Sequence, residues 1–283
     1  MSGTLYLVGT PIGNLGDLSV RALETLRRAD FIAAEDTRVT AKLLNHFEIR
    51  KPCVSYYEHN KYASGEKIVA RLLAGETCAL VTDAGMPAIS DPGEDLVRLG
   101  AENSVEVRAV PGCCAAVNAL AVSGLPTGRF TFEGFLSTTK KNRAQHLDSL
   151  RAEQRTMIFY EAPHKLCATL RDLAAAFGGE RRISLCRELT KLHEEVLRLT
   201  LDGAVAYYET QPPRGEYVLI VEGAPKQQES GPVSEEEALM RVQALLAEGL
   251  SRKDAVRQVA AETGLAKNQL YDAALRAQHT ETE

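Results

Sequence analysis

The chain has no cysteine pair at C-x-x-C spacing: its six cysteines, Cys53, Cys78, Cys113, Cys114, Cys167 and Cys186, are scattered. Four of them sit in apolar runs that read as core, which excludes a disulfide scaffold and predicts free buried thiols in a reducing compartment. A charged N-terminal stretch leading into a long apolar one is also missing, and no apolar run approaches the length that spans a bilayer. A cytoplasmic protein is expected. Positive charge is not in excess, since 33 Lys and Arg stand against 38 Asp and Glu, a net charge of -5. That excludes a protein that coats nucleic acid through many phosphate contacts, while leaving room for a local basic patch. The histidines, His46, His59, His146, His164, His193 and His279, are dispersed and at no metal-ligand spacing, so no metal is expected.

What is present is a globular composition: 283 residues, 45% apolar and 25% charged, enough for two compact domains and a short appendage. Short apolar, β-branched runs at 5–8, 31–34, 79–82 and 105–110 alternate with helical periods at 20–29, 40–47, 95–101 and 115–122. This βα series predicts a mostly parallel sheet covered on both faces, with ligands beyond the carboxyl ends of its strands. Gly124, Pro126 and Gly128 interrupt it. A second series then opens at Phe130, with strands at 157–160, 183–186 and 217–221 and a helix at 166–177. The expected domains are therefore 1–125 and 126–224, both α/β. Residues 223–232 read as a linker, followed by a small helical appendage at 234–278. Leu239, Val242, Leu245, Leu246, Val256, Val259, Leu265 and Leu270 give the tail helical spacing with Gly264 at a turn. This fits a packing or dimerisation appendage and, as the alternative, a helix-turn-helix that contacts RNA.

Three loops carry the candidate chemistry. Gly9-Thr10-Pro11-Ile12-Gly13-Asn14-Leu15-Gly16-Asp17 follows the first strand and lets backbone N–H groups approach a ligand. It is neither G-x-G-x-x-G nor G-K-[ST], which disfavours a nicotinamide enzyme or a P-loop NTPase. Thr82-Asp83-Ala84-Gly85-Met86-Pro87-Ala88-Ile89-Ser90-Asp91-Pro92-Gly93 is a rigid, polar-edged rim, too long for a mere connector. Pro111-Gly112-Cys113-Cys114-Ala115-Ala116 turns sharply on small side chains. For the first and third loops, plain turn-making or tight packing is an equally good reading.

These loops, together with Ala34-Glu35-Asp36-Thr37-Arg38, Phe159-Tyr160-Glu161-Ala162-Pro163-His164, the run 187–195 and the run 215–223, resemble one bacterial family. It is the family of small-subunit ribosomal RNA methyltransferases that modify the 2′-oxygen of cytidine 1402 in 16S RNA, within the wider tetrapyrrole methylases. The resemblance implies the class III methyltransferase fold, two α/β domains holding S-adenosylmethionine between them, usually in a homodimer, with 16S rRNA within the small ribosomal subunit as partner. It places the donor against Thr10, Pro11, Asp83, Ala84, Gly85, Ala88, Ile89, Ser90, Pro111, Ala115, Ala116, Tyr160 and Glu216. The chain departs from the family's Pro-Gly-Pro at Cys113, which loosens that turn and sets a thiol beside the donor.

Transfer to a ribose hydroxyl needs a proton acceptor. Asp36, Glu161 and Glu188 follow expected strands; the structural alternatives are helix capping and internal pairing for 35–38 and an Arg187–Glu188 ion pair, and Asp36, Arg38 and Glu161 are the favoured catalytic group. For RNA phosphates the candidates are Lys140, Lys141, Arg143, Lys165 and Lys191, with Arg181-Arg182 as a further pair. Tyr160 is a candidate stacking group, while Tyr56 and Tyr57 read first as core. Two rivals remain: a C-methyltransferase acting on a corrin or porphyrin precursor, and a non-catalytic RNA-binding assembly factor.

Overall fold

The computed structural model describes residues 2–225 and 234–280, with side chains as far as 275. Most of the expected linker at 223–232 therefore lies outside the described residues, as does the side chain of His279. The chain divides into two compact units, Met1–Ala224 and Pro225–Glu283.

In the first unit, five short runs form parallel strands: β1 (Thr4–Val8), β2 (Phe31–Ala34), β3 (Cys53–Ser55), β4 (Cys78–Val81) and β5 (Glu106–Val110). Helices α1 (Val20–Arg28), α2 (Thr37–His46), α3 (Lys61–Leu73) and α4 (Glu94–Glu102) connect them, and α5 (Ala115–Val122) follows β5. β2 and β4, with sequences FIAA and CALV, are buried along their whole length, as strands covered on both faces must be. Alternate residues serve opposite cores. Phe31, Ala33 and Leu80 face Ile68, Leu72 and Leu96, while Ile32, Ala34 and Val81 face Ala22, Leu26 and Leu44. Neither β3 nor α3 is among the elements read from the sequence. β3 is only three residues long, and the apolar stripe of α3 gathers in its second half at Ile68, Val69 and Leu72.

The strand order β3-β2-β4-β1-β5 creates the site. From β1 the chain moves two places to one side, to β2; from β4 it moves two places to the other, to β5. Because β1 and β4 are neighbours, the chain leaves them in opposite directions, and the crevice beyond their carboxyl ends is the topological switch point at which open α/β sheets take ligands.

The chain then enters β6 (Phe130–Phe135), α6 (Lys140–Ser149), β7 (Thr156–Glu161), α7 (Pro163–Phe177), β8 (Arg182–Arg187), β9 (Glu195–Thr200), α8 (Leu201–Thr210) and β10 (Tyr217–Val221). This sheet, β6-β7-β10-β8-β9, is mixed, with only β6 and β7 parallel. The parallel expectation thus holds for the first sheet alone, because β10 inserts antiparallel between β7 and β8. Helices α6, α7 and α8 cover one face. The other is covered by α5, whose Ala116, Ala119 and Leu120 pack on Ile158, Cys186, Val218 and Ile220. Arg198 of β9 donates to the carbonyls of Val122 and Ser123 at the end of α5, satisfying acceptors that a helix terminus leaves open. One helix shared between two sheets makes 1–224 a single unit.

The C-terminal unit is three helices, α9 (Glu235–Ala247), α10 (Arg252–Thr263) and α11 (Lys267–Thr280). Ser234 and Ser251 cap α9 and α10 by accepting from Glu237 and Asp254 N–H. Gly264, at φ 74°, ends α10 in the left-handed conformation that only glycine adopts without strain. Ala238, Val242, Val256, Val259 and Leu270 form its core. No helix among the described residues is long and apolar enough to cross a membrane.

Candidate active site

A cavity of about 410 Å³ opens at the crevice. Its first wall is main chain shaped by the β1 and β4 loops. Thr10 and Gly85 exchange N–H···O=C bonds of 2.9 and 3.1 Å, and the buried Thr10 hydroxyl donates to the Thr82 carbonyl at 3.3 Å. The two loops are therefore one piece. Beside them Gly9 passes Gly112 so closely that a Cβ on Gly9 would lie 2.6 Å from Gly112 Cα. Farther along, Ala88 and Ser90 hold φ of 68° and 62° without being glycine, a local strain of the kind that collects where backbone must face a ligand. Ile12, Met86, Ile89, Cys114 and Ala115 give this wall an apolar floor.

The second wall is a rim of paired side chains. β7 and β8 run parallel on either side of β10, so Glu161, Arg187 and Tyr217 lie in register at one edge. Lys191 bridges Glu188 at 2.9 Å and Glu216 at 2.8 Å, and Glu188 also accepts from Glu216 N–H. Burial opposes the charge on Glu188, but the Lys191 ammonium and the Glu216 N–H together hold its carboxyl below the ordinary range. Tyr160 stands edge-on to Phe132 and Phe135. Its hydroxyl accepts from Ala116 N–H at 3.1 Å, and burial pushes it up to about 12.

Of the expected donor contacts, Ala84, Gly85, Ile89, Ser90, Ala115, Tyr160 and Glu216 line the cavity. Thr10, Pro11, Asp83, Ala88, Pro111 and Ala116 are not among the lining residues. The expected catalytic group is not brought together. Asp36 caps α2 and is gripped by the Arg38 guanidinium at 2.6 Å, which lowers its carboxyl to about 2, and neither residue lines the cavity. A carboxylate so well satisfied is a weak base. Glu161 does line the wall, but one oxygen accepts from Ala162 N–H at 2.8 Å and the other from the Thr169 hydroxyl, so both are occupied in starting α7.

The basic residues also separate. Lys140 and Lys141 are exposed at the start of α6, and Lys165 is half-buried in the first turn of α7. Arg143 turns inward, to Asp172 at 2.6 Å and Thr169 at 2.8 Å. Lys191 is committed to its two glutamates. Arg181 donates to the carbonyls of Glu222 and Phe177, and Arg182 pairs with Glu222. Tyr56 is core, whereas Tyr57 is exposed, contrary to expectation. Cys114 and Cys186 line the cavity, whereas Cys113 lies beside the Asp17 carbonyl. Sequence reasoning missed Asp91, which lines the cavity with burial and the nearby Glu35 and Asp83 raising its carboxyl to about 6. The signal available was its place two residues before the glycine that starts α4, inside a loop already singled out.

Residues 4–205 match the model of the tetrapyrrole (corrin/porphyrin) methylases, and residues 233–278 match that of the RsmI C-terminal HTH domain. The chain is 50% identical to ribosomal RNA small subunit methyltransferase I of Synechocystis sp., over 96% of this chain and 98% of that one. To the protein of the same name from Halalkalibacterium halodurans it is 49% identical, over 95% and 94%. Among solved structures, uroporphyrin-III C-methyltransferase from Thermus thermophilus, complexed with S-adenosylhomocysteine, superposes with a TM-score of 0.52 at 18% identity, covering 77% of this chain and 97% of that one.

Proposed function

The chain belongs to the tetrapyrrole (corrin/porphyrin) methylase family, and from that premise we propose that it transfers a methyl group from S-adenosylmethionine to the 2′-oxygen of cytidine 1402 in 16S ribosomal RNA. The observation that carries this reading is half-identity, over nearly the full length of both chains, to proteins named for the small-subunit rRNA reaction. The corrin and porphyrin enzymes share the fold alone.

The site fits the donor. A cavity of about 410 Å³ is within the range that encloses a ligand of that size. Ile12, Met86, Leu189 and Val218 offer apolar contact, while Gly85, Ser90 and Glu216 offer polar atoms at its edge. Bound there, the donor supplies a methyl group already activated by its sulfonium charge, so the protein's task is alignment and proton removal. Lys140 and Lys141, exposed on α6, serve as phosphate contacts, with Lys165 nearer the cavity. The C-terminal helices add RNA contact, and the enzyme works in the cytoplasm as a homodimer on the small subunit.

The test is transfer of labelled methyl to small subunits lacking their own methylation, followed by nuclease mapping. Label on one cytidine ribose is the expected result. Donor binding by calorimetry with no label in RNA would overturn the RNA assignment.

A further inference from the structure

We infer that Asp91 is the group that takes the proton from the ribose hydroxyl, an assignment that rests on the RNA methyltransferase reading above. Four carboxylates line the cavity: Asp91, Glu161, Glu188 and Glu216. Glu161 has both oxygens occupied by Ala162 N–H and the Thr169 hydroxyl. Glu188 and Glu216 share the Lys191 ammonium. Among the described residues Asp91 alone of the four is shown with no hydrogen bond or ion pair, so its lone pairs remain free for an incoming hydroxyl.

Its placement is also enforced. Asp91 sits between Ser90, at φ 62°, and Pro92, in a loop that ends at Gly93 with φ 146°. A Cβ on Gly93 would lie 3.0 Å from Ala88 N and 3.1 Å from Leu80 Cδ2, so the end of the loop is packed closely against β4. The groups facing Asp91 are Glu35 after β2, Asp83 after β4 and the Tyr160 hydroxyl at the end of β7. None of these is a cation that would neutralise it. Burial and two like charges keep its proton affinity close to what neutral-pH proton transfer needs, whereas the Arg38 grip on Asp36 does the reverse.

In the step itself, Asp91 receives the hydroxyl proton as the O–H bond breaks and an oxygen lone pair forms the new O–C bond. The electron pair of the broken S–C bond stays on sulfur, which passes from sulfonium to neutral thioether, and Asp91 then returns the proton to solvent. Charge and atoms balance without a metal or redox partner.

The experiment compares the full-length wild type, Asp91→Asn and Asp91→Glu. Methyl transfer to unmethylated small subunits is measured from pH 5 to 8, donor affinity by calorimetry, and carboxyl titration by 13C NMR of the ligand-free protein. In the wild type, the rate and one carboxyl resonance should both titrate near pH 6, and that resonance should vanish in Asp91→Asn. Asp91→Asn should lose on the order of 100-fold or more in turnover while keeping its donor affinity, and Asp91→Glu should regain a pH-dependent limb. Asp91→Asn with the wild-type rate and profile, or with turnover and donor affinity lost in equal measure, overturns the assignment. A wild type that binds donor but labels no RNA overturns the underlying reading, and the assignment with it.

Discussion

The two walls of the cavity are made by opposite means. The first-sheet wall is shaped backbone: a two-way Thr10–Gly85 bridge, a Gly9–Gly112 contact without room for a methyl group, and left-handed Ala88 and Ser90. The second-sheet wall is side chains held by other side chains, Lys191 between two glutamates and Tyr160 between two phenylalanines. One wall leaves a carboxylate free; the other neutralises what it exposes. The difference teaches that chemistry here belongs to the stiff wall and that the paired wall fixes orientation.

The sharpest way to break this contrast is Gly112→Ala. Its Cβ would meet the Gly9 backbone at 2.7 Å, and backbone on both sides cannot move aside. Donor affinity by calorimetry should fall by about 100-fold or more, with destabilisation of about 1–3 kcal/mol from overpacking. The equivalent test of the paired wall is Lys191→Met, which strands Glu188 and Glu216 side by side. Donor affinity should drop by about 10-fold, a smaller loss because solvent reaches this rim and screens it. The pH dependence of that pairing has a definite sign. Glu188 is held below its ordinary value of 4.5, so the wild type has the full stabilisation above that pH and loses it on acidification, and melting curves of Lys191→Met should lack that loss.

Asp91 gives the reverse sign and a smaller effect. Its folded value of about 6 lies above the ordinary 3.8. The unfolded chain ionises first, and stability therefore falls as pH rises from about 4 to about 6, then levels. Asp91→Asn should remove that fall and raise stability at pH 7 by about 1 kcal/mol once solvent screening of a half-buried group is counted. At pH 4 it should change Tm little. The smallest effect separates Arg143 from its neighbours. Arg143→Ala should lower Tm by breaking its bonds to Asp172 and Thr169, leaving the salt dependence of RNA binding nearly intact. Lys140→Ala with Lys141→Ala should spare Tm and lower the salt slope by about 2.

Much of the frame was legible because the signals were local. FIAA and CALV are too apolar for anything but strands buried on both faces, and the loops after β1 and β4 were marked by glycine and proline before their pairing was known. What remained illegible depends on where the fold aims each side chain and which groups satisfy it there. Asp36 and Glu161 look like bases until Arg38, Ala162 and Thr169 are seen to satisfy them. Asp91 looks like loop punctuation until Glu35, from the end of β2, and Asp83, from the start of its own loop, gather beside it. Arg143 stands next to two lysines in sequence, and only the fold of α7 beside α6 turns it inward.

The turn at residues 124–128 invites a cut, since it lies between two sheets and Gly124 holds φ 77°. Helix α5 makes that cut misleading. Separated there, one fragment would carry an apolar helix with nothing to cover, and the other a bare sheet face of Ile158, Cys186, Val218 and Ile220. Each would be sticky alone and complementary to the other. The chain should therefore behave as a split reporter does: two insoluble halves that recover a soluble, donor-binding protein when produced together, with the reassembled seam running directly beneath the active site.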